Sequence, residues 1–259
     1  MPDLKVNQVE VVARLVSFIQ ETFAKQQKNT AVIAVSGGID SALSLTLLTQ
    51  ALGPNRVFPL LLPYARQDMR DAETILDFCA IPLANRKIIN IASMVDAVSL
   101  SLQISPEDQL RKGNVMARMR MIAVFDYAKT KDALVVGTEN KSEHYLGYFT
   151  RFGDEASDLE PISTLYKTQV RQLVQALQLP AVFLEKAPSA GLWENQSDEA
   201  EFGFTYELAD QVLSLYFDQR LSASAVLEQF AAEQQLVVQK VLDRVQAVAF
   251  KYQVPYTLV

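Results

Sequence analysis

Apolar positions along this chain follow two rhythms that take turns. Val9, Val12, Leu15, Ile19 and Phe23 recur at helical spacing, so an amphipathic helix is predicted over residues 6–27. Five apolar residues, Ala31 to Val35, then run unbroken into Ser36-Gly37-Gly38. Such a run, ended by glycines, predicts a strand buried on both faces. A helix is predicted over 39–52, with Ala42, Leu43, Leu45, Leu47 and Leu48 available for packing. The alternation continues with a strand over 57–62, a helix over 68–80, a short strand over 87–91 and a helix over 91–102. A long helix is expected over 106–130, with Ser105 as its cap and Pro106 in its first position. A fourth apolar strand is expected over 133–137. Strands that alternate with helices predict an α/β fold, a doubly wound parallel sheet flanked by helices.

Beyond Gly137 the rhythm changes. Residues 138–166 are rich in Gly, Thr, Ser and charge, with one short helix expected over 141–146 and another over 166–177. Residues 180–197 are polar and carry Pro188, Gly191 and Asn195. Long irregular segments in compact domains often act as lids. The remainder, about 206–252, reads as helical. With no repeat, low-complexity tract or linker, residues 1–259 are expected to form one domain, its helical C-terminal part (200–259) included.

Composition narrows the function classes. At 49% hydrophobic and 21% charged, the chain is ordinary for a soluble globular protein. No apolar stretch is long enough to cross a bilayer, and the start lacks a signal-peptide pattern, so no membrane partner is expected. The single cysteine, Cys79, rules out an intramolecular disulfide and fits a reducing, cytoplasmic setting. It lies in a helical pattern with Ile75, Leu76 and Phe78, as a buried small apolar residue would. A net charge of −6 argues against nucleic-acid binding. The lone histidine, His144, removes most histidine-based catalytic schemes and leaves zinc without enough N/S ligands.

Five stretches carry the chemistry. The first, Ser36-Gly-Gly-Ile-Asp-Ser41, lies where a strand ends and a helix begins. Ligands bind there in open α/β sheets, and exposed N–H groups with the positive helix end favour an anion such as phosphate. It lacks the lysine of a Walker loop and the spacing of the dinucleotide fingerprint. The second begins at the end of the fourth strand: Thr138 at the same sheet edge, Glu143 one helical turn further on. Asp40 and Glu143 are then expected to face each other across bound phosphates, a pair that suits magnesium. In the third, around Ala117-Arg-Met-Arg-Met121, Arg118 shares a helical face with Val115, Ile122 and Phe125 and needs a partner there. Arg120 lies about 200° away around the helix and could be merely exposed; for either arginine a surface or interface ion pair is an even alternative. In the fourth, Lys167 opposes the dipole of the helix it starts, a cost understandable if it meets a phosphate. The fifth, Lys186 to Glu199, is the candidate lid and holds the only tryptophan.

The loop Ser36–Ser41 resembles the pyrophosphate-binding loop of ATP pyrophosphatases. With Ala117-Arg-Met-Arg-Met121, Gly147-Tyr-Phe-Thr-Arg-Phe-Gly-Asp154 and Pro188-Ser-Ala-Gly-Leu-Trp193, the ordered set resembles the ammonia-dependent NAD synthetases from about Val32 to Tyr206. That resemblance implies an adenine-nucleotide α-hydrolase-like fold and a homodimer. It implies amidation of deamido-NAD with ATP and ammonia through an NAD-adenylate, releasing AMP and pyrophosphate. ATP would contact Ser36, Gly37, Gly38, Ile39, Asp40, Ser41, Thr138, Lys167 and Ser189. Asp40 and Glu143 would bind Mg2+, with Lys167 completing the catalytic set. Arg118, Arg151, Asp158 and Lys251 would contact deamido-NAD. Arg151 stands where the family often has lysine, and Phe250 where many members have a histidine before the lysine. The helix before Ala31 leaves no room for a glutaminase domain, so ammonia is expected free or from a separate glutaminase.

Other readings share only part of the pattern. A tRNA-thiolating ATP pyrophosphatase usually needs catalytic cysteines and a basic surface, and a GMP or argininosuccinate synthetase shares only the loop. A non-catalytic nucleotide-binding relative has Phe250 in its favour and the presence of both Asp40 and Glu143 against it.

Overall fold

The computed structural model describes residues 2–189, 191–193, 196–252 and 255–257. The apolar runs form the predicted strands: β1 (Ala31–Ala34), β2 (Val57–Leu61), β3 (Lys87–Ile88) and β4 (Leu134–Val136). All pair in parallel, in the order β3-β2-β1-β4. The order reverses between β1 and β4, and that reversal creates a crevice at their carboxyl ends. Ile33 lies opposite Val136, so the loops after both strands leave the sheet side by side.

Alternation along β1 decides which helices cover which face. Ala31 and Ile33 are fully buried with α1 (Gln8–Lys25), α2 (Ile39–Leu52), α3 (Arg70–Phe78), α7 (Lys167–Ala176) and α8 (Val182–Glu185). Val32, Leu60 and Val135 are buried on the other face with α4 (Ala92–Ser101) and α5 (Gln109–Lys131). A third cluster joins Leu146 of α6 (Lys141–Leu146) and Tyr166 to α9 (Asp198–Phe202), α10 (Tyr206–Leu213), α11 (Ala223–Leu227) and α12 (Ala232–Val248). The C-terminal helices therefore pack on the element that carries Glu143.

Several expectations are corrected. α5 starts at Gln109, and its cap is Asp108, whose Oδ1 accepts the Arg111 N–H at 3.1 Å. Ser105 instead opens a turn that closes onto the Asp108 N–H. Cys79 is the half-buried C-cap of α3 rather than a mid-helix residue. The segment over 180–197 contains α8, because Phe183 is apolar enough to be buried in the core. The C-terminal helical stretch is broken by a π-helical turn at Ser214–Asp218.

Candidate active site

The Gly-Gly loop lies between β1 and α2, with Gly38 as the N-cap. Gly37 has φ +81°, and a Cβ there would stand 2.9 Å from the Ala72 nitrogen at the start of α3. Only glycine lets the loop turn this tightly against α3. Ser36 Oγ accepts from Gly38 N–H at 3.2 Å, and Ser41 Oγ donates to Gly38 O at 3.0 Å. Asp40 occupies the first turn of α2, where N–H groups lack intrahelical partners.

Across the crevice, the backbone after β4 is pinned by a carboxyl from the 157–160 segment. A Cβ on Gly137 would lie 1.7 Å from Glu160 Oε1, so glycine is required for that approach. Glu160 accepts from Ser157 Oγ at 2.8 Å and from the Glu139 N–H at 3.0 Å. Burial, then the Glu139 charge, pushes its carboxyl up to about 8. The backbone after β4 is thus held by a carboxyl whose burial favours its neutral form.

Asn140 follows. It is fully buried, its Oδ1 caps α6 by accepting the Glu143 N–H at 3.0 Å, and its Nδ2 donates to Asp40 Oδ1 at 2.9 Å. One amide therefore ties the Asp40 carboxylate to the backbone of the helix that carries Glu143. Sequence reasoning missed it, although Asn three residues before Glu is a capping signature.

Lys167 begins α7 and is 2% exposed. Its backbone N–H donates to Ser142 Oγ at 2.8 Å, and the next N–H, of Thr168, to Asp210 Oδ2 at 2.8 Å. Ser142 in turn donates to Asp210 Oδ1. That pair supplies acceptors for the helix start, and burial pushes Asp210 up to about 6. The Lys167 ammonium reaches Asp40 Oδ2 at 2.6 Å and Glu143 Oε1 at 2.8 Å. Burial alone would lower the Lys167 pKa, but the charges of Asp40 and then Glu143 outweigh it and hold it raised. Burial and the Asp40 charge push Glu143 up to about 8.

The two carboxylates converge on one cation position. Two carboxylates with phosphate oxygens make a donor set that Mg2+ accepts. Among the described residues no cluster of three or more His, Cys, Asp or Glu could hold a metal alone. The remaining oxygens would have to come from a bound phosphate or water.

The residues assigned to the acceptor lie further out. Arg118 is exposed and donates through Nη2 to Arg151 O at 3.3 Å, while Arg120 is the half-buried arginine. Arg120 donates to Leu62 O at 3.1 Å and Gln67 Oε1 at 3.0 Å. The contest that spacing left open is thus resolved with Arg118 outward and Arg120 inward. Val115, Met116, Ala123, Val124 and Tyr127 fill the sheet side of α5, which turns Ile122 and Arg118 outward. The Arg151 guanidinium lies 5.3 Å from the Phe250 ring centroid. Lys251 donates to Gly147 O and Phe149 O, each at 2.5 Å. Exposed Asp158 accepts the Val135 N–H at 2.7 Å, which ties the edge of β4.

Thr138 is half-buried beyond β4, at the edge that also carries the Gly-Gly loop. Ser189 is exposed and accepts the Gly191 N–H at 3.1 Å. Ala190, Glu194 and Asn195 of the expected lid lie outside the described residues. Gln67 Nε2 donates to Gly191 O at 3.3 Å, and Leu192 packs over Gly113 of α5. Lys186 pairs with Asp71 at 2.6 Å. The described residues of the segment are thereby tied to Gln67, to Gly113 of α5 and to Asp71 of α3.

Comparison with known proteins gives consistent relatives. The family model NAD synthase matches residues 11–255. An NH3-dependent NAD+ synthetase of Fusobacterium nucleatum is 43% identical over 230 residues, 88% of this chain and 87% of that protein. One from Pyrococcus furiosus is 39% identical over 234 residues, 90% of this chain and 88% of that protein. Among solved structures, the NH3-dependent NAD synthetase of Campylobacter jejuni in complex with nitrate has a TM-score of 0.80 at 30% identity, covering 98% of this chain and 100% of that one. An NMN synthetase of Francisella tularensis has a TM-score of 0.82 at 30% identity, covering 98% and 99%.

Proposed function

Since the chain belongs to the NAD synthase family, we infer that it amidates deamido-NAD to NAD with ammonia and ATP. The observation that carries the chemistry is the convergence of Asp40, Glu143 and Lys167 beside a glycine loop at the switch point of the sheet. The nicotinate carboxylate attacks the α-phosphorus of ATP, forming an NAD-adenylate and releasing pyrophosphate. Ammonia then attacks the activated carbonyl, and AMP leaves. A carboxylate resists amidation until its oxygen becomes part of a good leaving group, so ATP supplies the activation.

Little covalent work falls to the protein. The loop N–H groups from Ser36 to Ser41 hold the phosphate chain, with Thr138 and Ser189 at its margin. Lys167 stabilises charge that develops on the departing pyrophosphate. Asp40 and Glu143 would hold Mg2+, which would supply neutralisation of phosphate charge there. Arg118, Arg151, Asp158 and Lys251 form the deamido-NAD side. The segment from Lys186 to Glu199 excludes water, which would otherwise hydrolyse the adenylate.

The protein works as a homodimer in the cytoplasm, on ammonia taken from solution or from a separate glutaminase. Leu100 on α4 and Leu110 and Ile122 on α5 support the dimer, being 81%, 66% and 49% exposed. Light scattering tests it, and a monomer at micromolar concentration would remove it. For the reaction, the chain is incubated with ATP, magnesium, deamido-NAD and ammonium, and NAD and AMP are followed by chromatography. ADP as product, or no NAD, overturns the proposal. Likeness to an NMN synthetase raises a second reading, with nicotinate mononucleotide as acceptor. Running both acceptors side by side separates them, and a higher kcat/KM for the mononucleotide would favour the second.

A further inference from the structure

The space between Asp40 and Glu143 already holds a cation. The Lys167 ammonium lies 2.6 Å from one carboxylate and 2.8 Å from the other, and its side chain is 3% exposed. The carboxylates are themselves only 16% and 17% exposed, so little water reaches them to screen charge. A divalent ion bound by the same oxygens would stand against a buried ammonium with almost nothing between them. At such range and burial, like charges repel strongly.

We propose that Lys167 occupies the divalent-cation seat until a nucleotide arrives, so that metal and triphosphate load together. The inference rests on the magnesium role given to Asp40 and Glu143. The lysine has somewhere to go. Its backbone is anchored by Ser142 and Asp210, and the ammonium at the end of its four-carbon stem is held by hydrogen bonds to Asp40 and Glu143. A triphosphate bound along the loop that ends at Asp40 would offer the ammonium oxygens of its own. The Tyr206 ring, 5.2 Å from Nζ, flanks it on another side. Asn140 stays bound to the other oxygen of Asp40 and keeps that carboxylate aimed at the seat while the lysine moves. Until then the lysine serves the fold by neutralising two buried acids. Once phosphates draw it away, the same acids take the metal. An enzyme built this way does not collect free divalent ions and binds them only with its nucleotide.

The test reads metal binding, not turnover. Mn2+ is titrated into the full-length protein and followed by paramagnetic resonance of the free ion. Wild type is measured alone and with α,β-methylene ATP, K167M alone, and D40N in each condition. K167M alone is expected to bind Mn2+ at least about tenfold more tightly than wild type alone. Wild type should gain a site with the analogue that D40N lacks. If wild type alone binds as tightly as K167M and D40N abolishes it, the lysine does not hold the seat, and the magnesium assignment stands. If D40N changes nothing in any condition, the magnesium assignment fails and the inference with it. Should K167M not fold, wild type still decides by its melting temperature. Mn2+ alone should leave Tm unmoved, and Mn2+ added to the analogue should raise it beyond the analogue alone. An equal rise from Mn2+ alone overturns the proposal.

Discussion

The two ends of the crevice are built differently. At the end formed by Asp40, Asn140, Glu143 and Lys167, every charged group is held by another group of the same chain. At the end formed by Arg118, Arg151 and Phe250, the side chains are open. Arg118 is exposed, Phe250 is 49% exposed, and the contacts include one hydrogen bond from Arg118 and two ring faces, Phe152 and Phe250, against Arg151. Buried charge must be neutralised before the chain can fold, so the phosphate end is complete in the free protein. Exposed charge is already solvated by water, so nothing forces the acceptor end to close on itself. Under the proposed function, that end is left for deamido-NAD to complete.

Substitutions at the closed end should have the largest effects. Asp40→Asn is expected to lower kcat by about a thousandfold or more, measured as NAD formed at saturating substrates. Circular dichroism should show the fold retained, and near-normal turnover would remove Asp40 from the chemistry. Asn140→Ala removes the α6 cap and the donor to Asp40, so stability should fall by roughly 1–3 kcal/mol and kcat with it. Asn140→Asp keeps the cap acceptor but loses the donor. It should recover part of the stability in urea melts and little of the turnover. Recovery of both would make Asn140 merely structural.

A third effect concerns pH. Glu160 binds its proton more tightly when folded, its carboxyl being raised from 4.5 to about 8 by burial. Its stabilisation is therefore full below about pH 4.5 and is lost as pH rises through about 8. Glu160→Gln should flatten the decline in unfolding free energy across that window, by up to about 5 kcal/mol. Unchanged slope in denaturant melts from pH 5 to 8 would show that Glu160 is ionised in the folded protein. The open end should respond most weakly. Phe250→Ala should leave stability within about 0.5 kcal/mol and raise KM for deamido-NAD a few-fold without moving KM for ATP. A matching rise in KM for ATP would erase the distinction between the two ends.

Much of the closed end was legible in the linear pattern. The apolar run into Gly37-Gly38 announced β1, its turn and the position of Asp40, and a second run ending at Gly137 placed Glu143 near the same edge. What escaped depended on direction. Helical spacing sets the angle between Arg118 and Arg120 but says nothing about which faces the sheet; Val115, Val124 and Tyr127 decide that by filling the core. Asn140 carried a capping signature, yet its bond to Asp40 joins residues a hundred positions apart. Nothing local reveals that Glu160 lies against Gly137, since the approach exists only after the 157–160 segment has paired beside β4.

By itself the sequence determined the alternation of strands and helices, the strand-turn-helix Gly-Gly loop, and the set of motifs that point to the family. These depend on local spacing and on residue chemistry, which a linear chain records. Only the tertiary structure decided that Lys167 would stand between Asp40 and Glu143, because burying two acids together demands a cation and the fold offers that one.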